Sequence, residues 1–440
     1  MRYAPADVRK QFFIQMSRDI SLEACVLDLI DNSLDSYLLK YSVPISRLIF
    51  DEPADVPIPH KAAIAVACSE RQIKVTDTCG GISRARAMKD VFCFGHLPDD
   101  KLGRLGAYGV GLKRALFKIG NRFQIISRAA HEGFQVDLKL DEWAANPEWK
   151  IPISFTEGSG SEKTAGTSIT ITELHEEVKL RIQDGGVQKD IFEDAGRTYP
   201  FFIDRCVALT INGQPVPPNP ITLGESDGVI RAAREKFEHD GVRVSLAASV
   251  APASPTPRTA EQAGWNVLCN GRAVVRADKT RLTGWGTELP SFHSKYTSFV
   301  GLASLESDDP LSLPWTTTKR DINRESAVFM RAKAVMAAMS KPIITMLNAR
   351  YPSEPTEVAH IRSAVSDVKA VSFREVVAKP AVGFLFSPPK KTEKKTARIV
   401  FDASLAAIEK VRHHLKRPTL SPSNIGKLAF EHYVRTECGE

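Results

Sequence analysis

The sequence predicts an α+β protein. Helical periodicity marks residues 17–40 and 111–119, and "AAIAVACSE" and "QIKVTD" read as two strands joined by a short turn. Strands near 122–128, 133–140, 151–156 and 167–172 then follow one another with little helix between them. Helices mixed with a run of mostly adjacent strands make a sandwich with helices on one sheet face.

The first helix carries Leu27, Ile30, Leu34 and Leu38 as an apolar stripe that docks on a sheet. A helical segment near 83–92 precedes the helix at 111–119. There Leu112, Ala115, Leu116 and Ile119 recur at helical spacing, and Gly120-Asn121 can end it. A helix near 187–204 leads into the strand "VALTING". From about 207 to 320 a second strand-rich block contains "INGQPVPPNP" and "LCNGRAVV", where Asn-Gly marks tight turns. Within it "APASPTPRTAEQAG" reads as a long surface loop. A helix covers about 325–350, with Pro342 as the place for a kink. "SPPKKTEKK" is the clearest linker; beyond it lie the strand "ARIVFD" and helices near 404–416 and 422–436. Domains are therefore expected at 1–206, 207–350 and 390–440, with 351–389 as a linker or helical segment.

At 440 residues the chain has room for two or three domains, and its 43% hydrophobic and 25% charged residues suit a globular protein. No apolar run reaches membrane-spanning length and "MRYAPADVRKQFF" is no signal peptide, so a cytoplasmic protein without membrane contact is expected. Seven scattered cysteines with no C-x-x-C pair favour a reducing compartment over disulfides or zinc. The net charge is +7, and the stretch from Lys390 to the end holds eleven Lys/Arg against six Asp/Glu. Such a tail suits nucleic acid, and a solvated surface equally well.

Asp28, Asn32 and Asp35 stand at i, i+4 and i+7, on one face of the first helix. Two carboxylates and a carboxamide beside a buried stripe are costly unless they meet solvent or a ligand. "VTDTCGGI" puts Asp77 at a strand end, where a carboxylate can accept from an exocyclic amine, and Gly80-Gly81 leave room for a flat ring. "AGTSITIT" sets Gly166-Thr167 at the start of another strand, with a hydroxyl for the same ring or a water beside it. In "RLGAYGVGLKRALFKIG", Gly106, Gly109 and Gly111 precede a helix N-terminus and Lys113 adds a point charge. Close backbone N–H groups, the helix dipole and that lysine suggest a phosphate site. A flexible loop entering a core helix would read the same way. The spacing fits neither G-x-x-x-x-G-K-[ST] nor G-x-G-x-x-G.

In this order the four pieces resemble the motifs of the GHKL ATPases with the Bergerat fold. That superfamily includes the gyrase B subunit, MutL, the ninety-kilodalton heat-shock chaperone, sensor histidine kinases and MORC proteins. "LDLIDNSLDS", "DTCGGI", "GRLGAYGVGLK" and "GTS" look like its first to fourth motifs, across roughly residues 17–172. The resemblance implies an ATP-binding domain with Mg²⁺. By position it implies Asn32 as the Mg²⁺ ligand, Asp77 as the partner of the adenine amino group beside Gly81, and Thr167 as its support. Gly106, Tyr108, Gly109, Val110, Gly111 and Lys113 would line the nucleotide and its phosphates within a mobile lid covering about 93–111. Asp28 stands where hydrolysing members carry the glutamate that activates water; it is one methylene shorter, which implies slow ATP hydrolysis. Cys79 replaces the usual first glycine of the second motif.

Similarity to the gyrase, MutL and chaperone branches also implies an S5-like transducer domain that sends a basic residue to the γ-phosphate. "PWTTTKRDINRES" looks like its loop, with Lys319 as that residue and Arg320 as the fallback; a surface lysine would look the same. The relatives close a homodimer through an N-terminal segment, and "MRYAPADVRKQFFIQM" offers Phe12, Phe13 and Met16 for that contact. The implied function is an ATP-gated dimeric clamp or switch acting with DNA or a separately encoded effector protein, for example in bacterial genome defence. The alternative is a chaperone-type ATPase that remodels protein clients. The C-terminal strand and helices, with Leu405, Ile408, Val411 and Leu415 inward, have the β-α-α order of ribbon-helix-helix modules, which dimerise and can bind DNA. A helical dimerisation piece without DNA contact has the same order.

Overall fold

The structure, a computed structural model, describes residues 9–50, 58–95, 103–157, 165–256, 258–349, 368–387, 399–400 and 402–438. Residues up to 389 form one compact unit and residues 390–440 a second. Among the described residues no helix is long and apolar enough to cross a membrane.

The first unit opens with α1 (Lys10–Met16), α2 (Leu22–Tyr41) and α3 (Ile45–Phe50). The long helix expected from residue 17 starts at Leu22 because Ser21 caps it, its Oγ accepting from the Ala24 amide at 3.2 Å. Ser42, with φ 49°, ends it in the left-handed conformation. Leu27, Ile30, Leu34 and Leu38 are buried, as an apolar stripe must be to hold a helix on a sheet.

That sheet has eight strands: β1 (Ala62–Cys68), β2 (Gln72–Asp77), β3 (Gly120–Arg128), β4 (Glu132–Lys139), β5 (Ser154–Glu157), β6 (Gly166–Leu174), β7 (Val207–Ile211) and β8 (Gln214–Pro215). Their order is β5-β4-β3-β6-β2-β1-β7-β8. Along β1, Ile64, Val66 and Cys68 are buried while Ala63 and Ala67 are exposed, so one face is covered and the other meets solvent. The remaining helices of this layer are α4 (Arg84–Arg86), which runs into a π-helical turn at Ala87–Val91, α5 (Gly111–Ile119), α6 (Leu140–Ala145), α7 (Glu176–Gln183), α8 (Gly186–Thr198) and α9 (Pro200–Arg205). β7, expected to open the second domain, pairs in parallel with β1, Ala62 opposite Val207. The first layer therefore continues past residue 206 to Pro215.

The second layer comprises β9 (Thr222–Glu225), β10 (Ile230–Arg231), β11 (Ala233–His239), β12 (Val242–Val250), β13 (Gly264–Cys269), β14 (Arg272–Asp278), β15 (Phe299–Glu306) and β16 (Lys369–Ser372), with α10 (Ala327–Ala349). Its main sheet runs β14-β13-β15-β12-β9-β16, and β11 also pairs with β12. β16 falls in the stretch expected to be a linker or helical segment; residues 369–377 supply a strand and the helix Phe373–Val377, while 351–367 lie outside the described residues. β13 and β15 are buried along their whole length, because both faces of the sheet are covered. Ala247 and Leu302 join the core of the first layer, and their neighbours Leu246 and Ala303 join the core under α10.

α1 packs on its own chain. Lys10 Nζ donates to the carbonyls of Trp143, Asn146 and Glu148 at 2.7, 2.8 and 2.6 Å, and Phe13 lies 4.8 Å from the Phe94 ring. Phe12 and Met16 are exposed; residues 1–8 of the expected arm lie outside the described residues.

In the second unit, Arg412 of the helix Leu405–His414 donates its Nε to the Leu420 carbonyl at 2.9 Å, in the turn that leads to the helix Pro422–Glu437. Leu405, Val411 and Leu415, expected inward, are 81%, 37% and 39% exposed, since two short helices offer too little surface to enclose them. Of the expected strand "ARIVFD", the described residues 399, 400 and 402 are in no strand.

Candidate active site

α2 and the first sheet enclose a cavity of about 140 Å³. Asp28, Asn32, Asp77, Gly106, Tyr108, Gly109, Val110, Gly111, Lys113, Thr167 and Lys319 all line it. They come from α2, the end of β2, the segment entering α5 and its first turn, the start of β6 and the loop after β15. Gly81 is not on the wall, although its neighbour Ile82 is. Gly81 has φ 69°, and a Cβ there would collide with the Arg128 carbonyl, so the turn after β2 can lie against β3 only with glycine.

At one end Asp77 is held from three sides. Ser33 Oγ donates to Oδ2 at 2.8 Å, and the amides of Cys79 and Thr167 donate to Oδ1 at 2.9 and 3.2 Å. Burial raises the Asp77 pKa in spite of these bonds. Cys79, standing where a glycine was expected, still supplies its amide. A Cβ on Gly166 would strike the Asp77 carbonyl, which explains the glycine before Thr167. Thr167 Oγ1 and Ser127 Oγ share a hydrogen bond at 2.9 Å. Ile82, Ile125 and Ile169 give this end apolar walls suited to a flat ring.

Farther along α2, Asn32 Nδ2 donates to the Asp28 carbonyl at 2.9 Å, which leaves its carboxamide oxygen as the atom for a metal. Among the described residues no group of three or more His, Cys, Asp or Glu could hold a metal ion by itself. Mg²⁺ fits such a site, because it takes one or two protein ligands and completes its shell with phosphate oxygens and water.

The glycine-rich segment differs in detail from the expected phosphate cradle. Asp35 accepts from the Leu105 and Gly106 amides, both at 2.8 Å. Lys113 Nζ donates to the carbonyls of Cys93 and Gly109, both at 2.6 Å. The Asp35 and Lys113 side chains are buried, and burial obliges each polar group to keep a partner. Burial also lowers the Lys113 pKa to about 8 and raises that of Asp35. Tyr108 Oη donates to the Trp315 carbonyl at 3.1 Å, which ties this segment to the loop carrying Lys319.

Lys319, expected to face a γ-phosphate, pairs with Asp31 Oδ2 at 2.7 Å. Asp31 Oδ1 receives Arg272 Nε at 3.1 Å and Tyr199 Oη at 2.6 Å. Burial alone would raise the Asp31 pKa, but Arg272 and Lys319 outweigh it and hold the carboxyl below the usual range. Arg320, the fallback, pairs with Asp194 at 3.6 Å instead. Asp28 Oδ2 pairs with Arg114 Nη2 at 2.5 Å, and Arg114 Nη1 donates to the Thr317 carbonyl at 3.2 Å. Sequence reasoning passed over Asp31, Arg114, Tyr199 and Arg272. The first two sit inside motifs it did single out; nothing local marks the other two.

A helix presenting a carboxylate and a carboxamide, a strand ending in a buried acid and a glycine-rich segment thus meet at one cavity. Residues 20–168 match the family model described as Histidine kinase-, DNA gyrase B-, and HSP90-like ATPase. This part of the chain is a domain of the GHKL ATPase superfamily. A comparison with curated proteins returns no match.

Proposed function

We propose that the chain binds MgATP in this cavity, hydrolyses it slowly and uses it to switch the contact between its two sheet layers. The supporting observation is the convergence of Asn32, Asp77, Lys113 and Lys319 on one cavity. Asp77 accepts from the adenine amino group, with Thr167 beside it. Asn32 provides the protein ligand to Mg²⁺, which supplies charge neutralisation at the phosphate oxygens. Asp28 is the general base: its Oδ1 is buried without a hydrogen-bond partner among the described residues, an acceptor suited to a water's proton.

Small-molecule sites typically measure ~300–1,000 Å³, so the glycine-rich segment shifts as the nucleotide enters. Gly106 N–H and Lys113 then exchange their present partners for phosphate oxygens. Lys319 leaves Asp31 for the γ-phosphate, and Asp31 keeps Arg272 and Tyr199. In this way residues 216–387, which we read as an S5-like transducer, sense the nucleotide. We extend the reading to a homodimeric clamp whose basic segment from Lys390 onward meets DNA; salt-sensitive DNA binding lost on truncation at Pro389 is the expected outcome.

Calorimetry with ATP and Mg²⁺ tests the core of the proposal. Wild type binds, and Asn32→Ala loses the Mg²⁺-dependent part of the affinity; a wild type without affinity for ATP refutes the reading. Lys113 adds a pH signature. With its pKa near 8 in this structure, and higher once a phosphate lies beside it, affinity is level below that value and falls above it. The fall is up to about tenfold per pH unit. Lys113→Arg, charged throughout, flattens the profile. A level wild-type profile across roughly pH 7.5 to 9.5 removes Lys113 from the phosphate site.

A further inference from the structure

We propose that Arg114 positions Asp28 for hydrolysis and makes that positioning depend on the loop that carries Lys319. This rests on the reading of Asp28 as the base. Arg114 Nη2 holds Asp28 Oδ2 at 2.5 Å while Nη1 donates to the Thr317 carbonyl at 3.2 Å. One guanidinium thus bridges a side chain of α2 and the backbone of the loop, two residues from Lys319.

The geometry suits a base with a single working oxygen. Asp28 is 2% exposed and lines the cavity; Oδ2 is clamped and Oδ1 has no partner among the described residues. An unrestrained aspartate could turn either oxygen toward a water, and it reaches less far than a glutamate. A planar guanidinium in a fixed fork removes that freedom. The same fork registers the loop. The Thr316 amide donates to the Asp321 carbonyl and the Lys319 amide to the Thr316 carbonyl, both at 2.9 Å, so residues 316–321 form a closed turn that shifts as a body. Drawing Lys319 away from Asp31 carries the Thr317 carbonyl with it, and the Arg114 guanidinium is then held by Asp28 alone. Alignment of the base and contact with the γ-phosphate are coupled through this one side chain.

The test compares full-length wild type, Arg114→Ala, Arg114→Lys, Asp28→Asn and the double variant for MgATP turnover, KM and nucleotide Kd. Arg114→Ala lowers kcat at least about tenfold with KM and Kd within about threefold, and Arg114→Lys, a point charge that cannot bridge both contacts, restores only part. In the Asp28→Asn background Arg114→Ala has no further effect, because Arg114 acts only through Asp28. Turnover of Arg114→Ala at or above wild type overturns the proposal, as does a loss that multiplies with that of Asp28→Asn. Where Arg114→Ala does not fold, Arg114→Lys decides: wild-type kcat overturns the proposal. Wild type without nucleotide affinity refutes the ATPase reading itself. Asp28→Asn at full turnover with affinity intact removes the base, and this inference with it.

Discussion

Asp31→Ala lowers the free energy of unfolding by ~3–5 kcal/mol, the range found when one partner of a buried ion pair is deleted. Asp31 is 1% exposed, and Arg272, Lys319 and Tyr199 are buried around it. Removing the carboxylate leaves two buried cations without their anion, and the low interior dielectric makes that costly, although Tyr199 Oη keeps the Leu27 carbonyl at 2.9 Å. Asp31 belongs to α2 and Tyr199 follows α8, whereas Arg272 opens β14 and Lys319 lies in the loop after β15. The cluster is thus the polar centre of the contact between the two layers. Lys319→Met costs less, since Arg272 and Tyr199 still satisfy Asp31. The acid limb has a definite sign. A carboxyl whose folded pKa is depressed contributes stability above its unfolded value and loses it as pH falls through the folded one. Asp31→Ala therefore shows a shallower loss of stability in acid than wild type. Urea denaturation at neutral and acidic pH measures both effects; a neutral-pH change below about 1 kcal/mol contradicts the argument, being within the range of an ordinary surface substitution.

This cluster also shows where sequence reading stops. α2, the β1–β2 hairpin and α5 are legible because each carries its own period, cap or glycine. Asp28, Asn32, Asp77 and Lys113 are legible because their motifs are local. Asp31 lies in the same motif, three residues after Asp28 and four before Asp35, but its partners stand far off in the chain at 199, 272 and 319. Arg114 follows the glycine-rich motif with no local sign of a role. Only tertiary structure brings it to Asp28. The place of "VALTI" is hidden for a related reason: it looks like the start of a new block, and its parallel pairing with β1 leaves no local trace. Lys10 stands unremarked in the N-terminal segment, yet three carbonyls near α6 take its ammonium.

Asp28→Asn reduces ATP turnover by ~10²–10⁴-fold while nucleotide affinity stays within about threefold. Asparagine has the shape of aspartate and keeps an oxygen for Arg114 Nη2, so the clamp and the cavity wall survive. What it loses is the capacity to take a proton from water. Alanine at 28 is the less informative change: it leaves the half-buried Arg114 without its anion and mixes a stability loss with the kinetic one. The neighbouring residues keep the two functions apart. Ser33 and the Thr167 amide hold Asp77 at the far end of the cavity, and Asn32 Nδ2 bonds to the backbone carbonyl of Asp28, which the substitution keeps. Phosphate release in a single turnover, measured beside calorimetric affinity, separates binding from chemistry. Retention of more than about a tenth of wild-type turnover shows that the proton goes elsewhere, for a base worth less than tenfold is not acting as one.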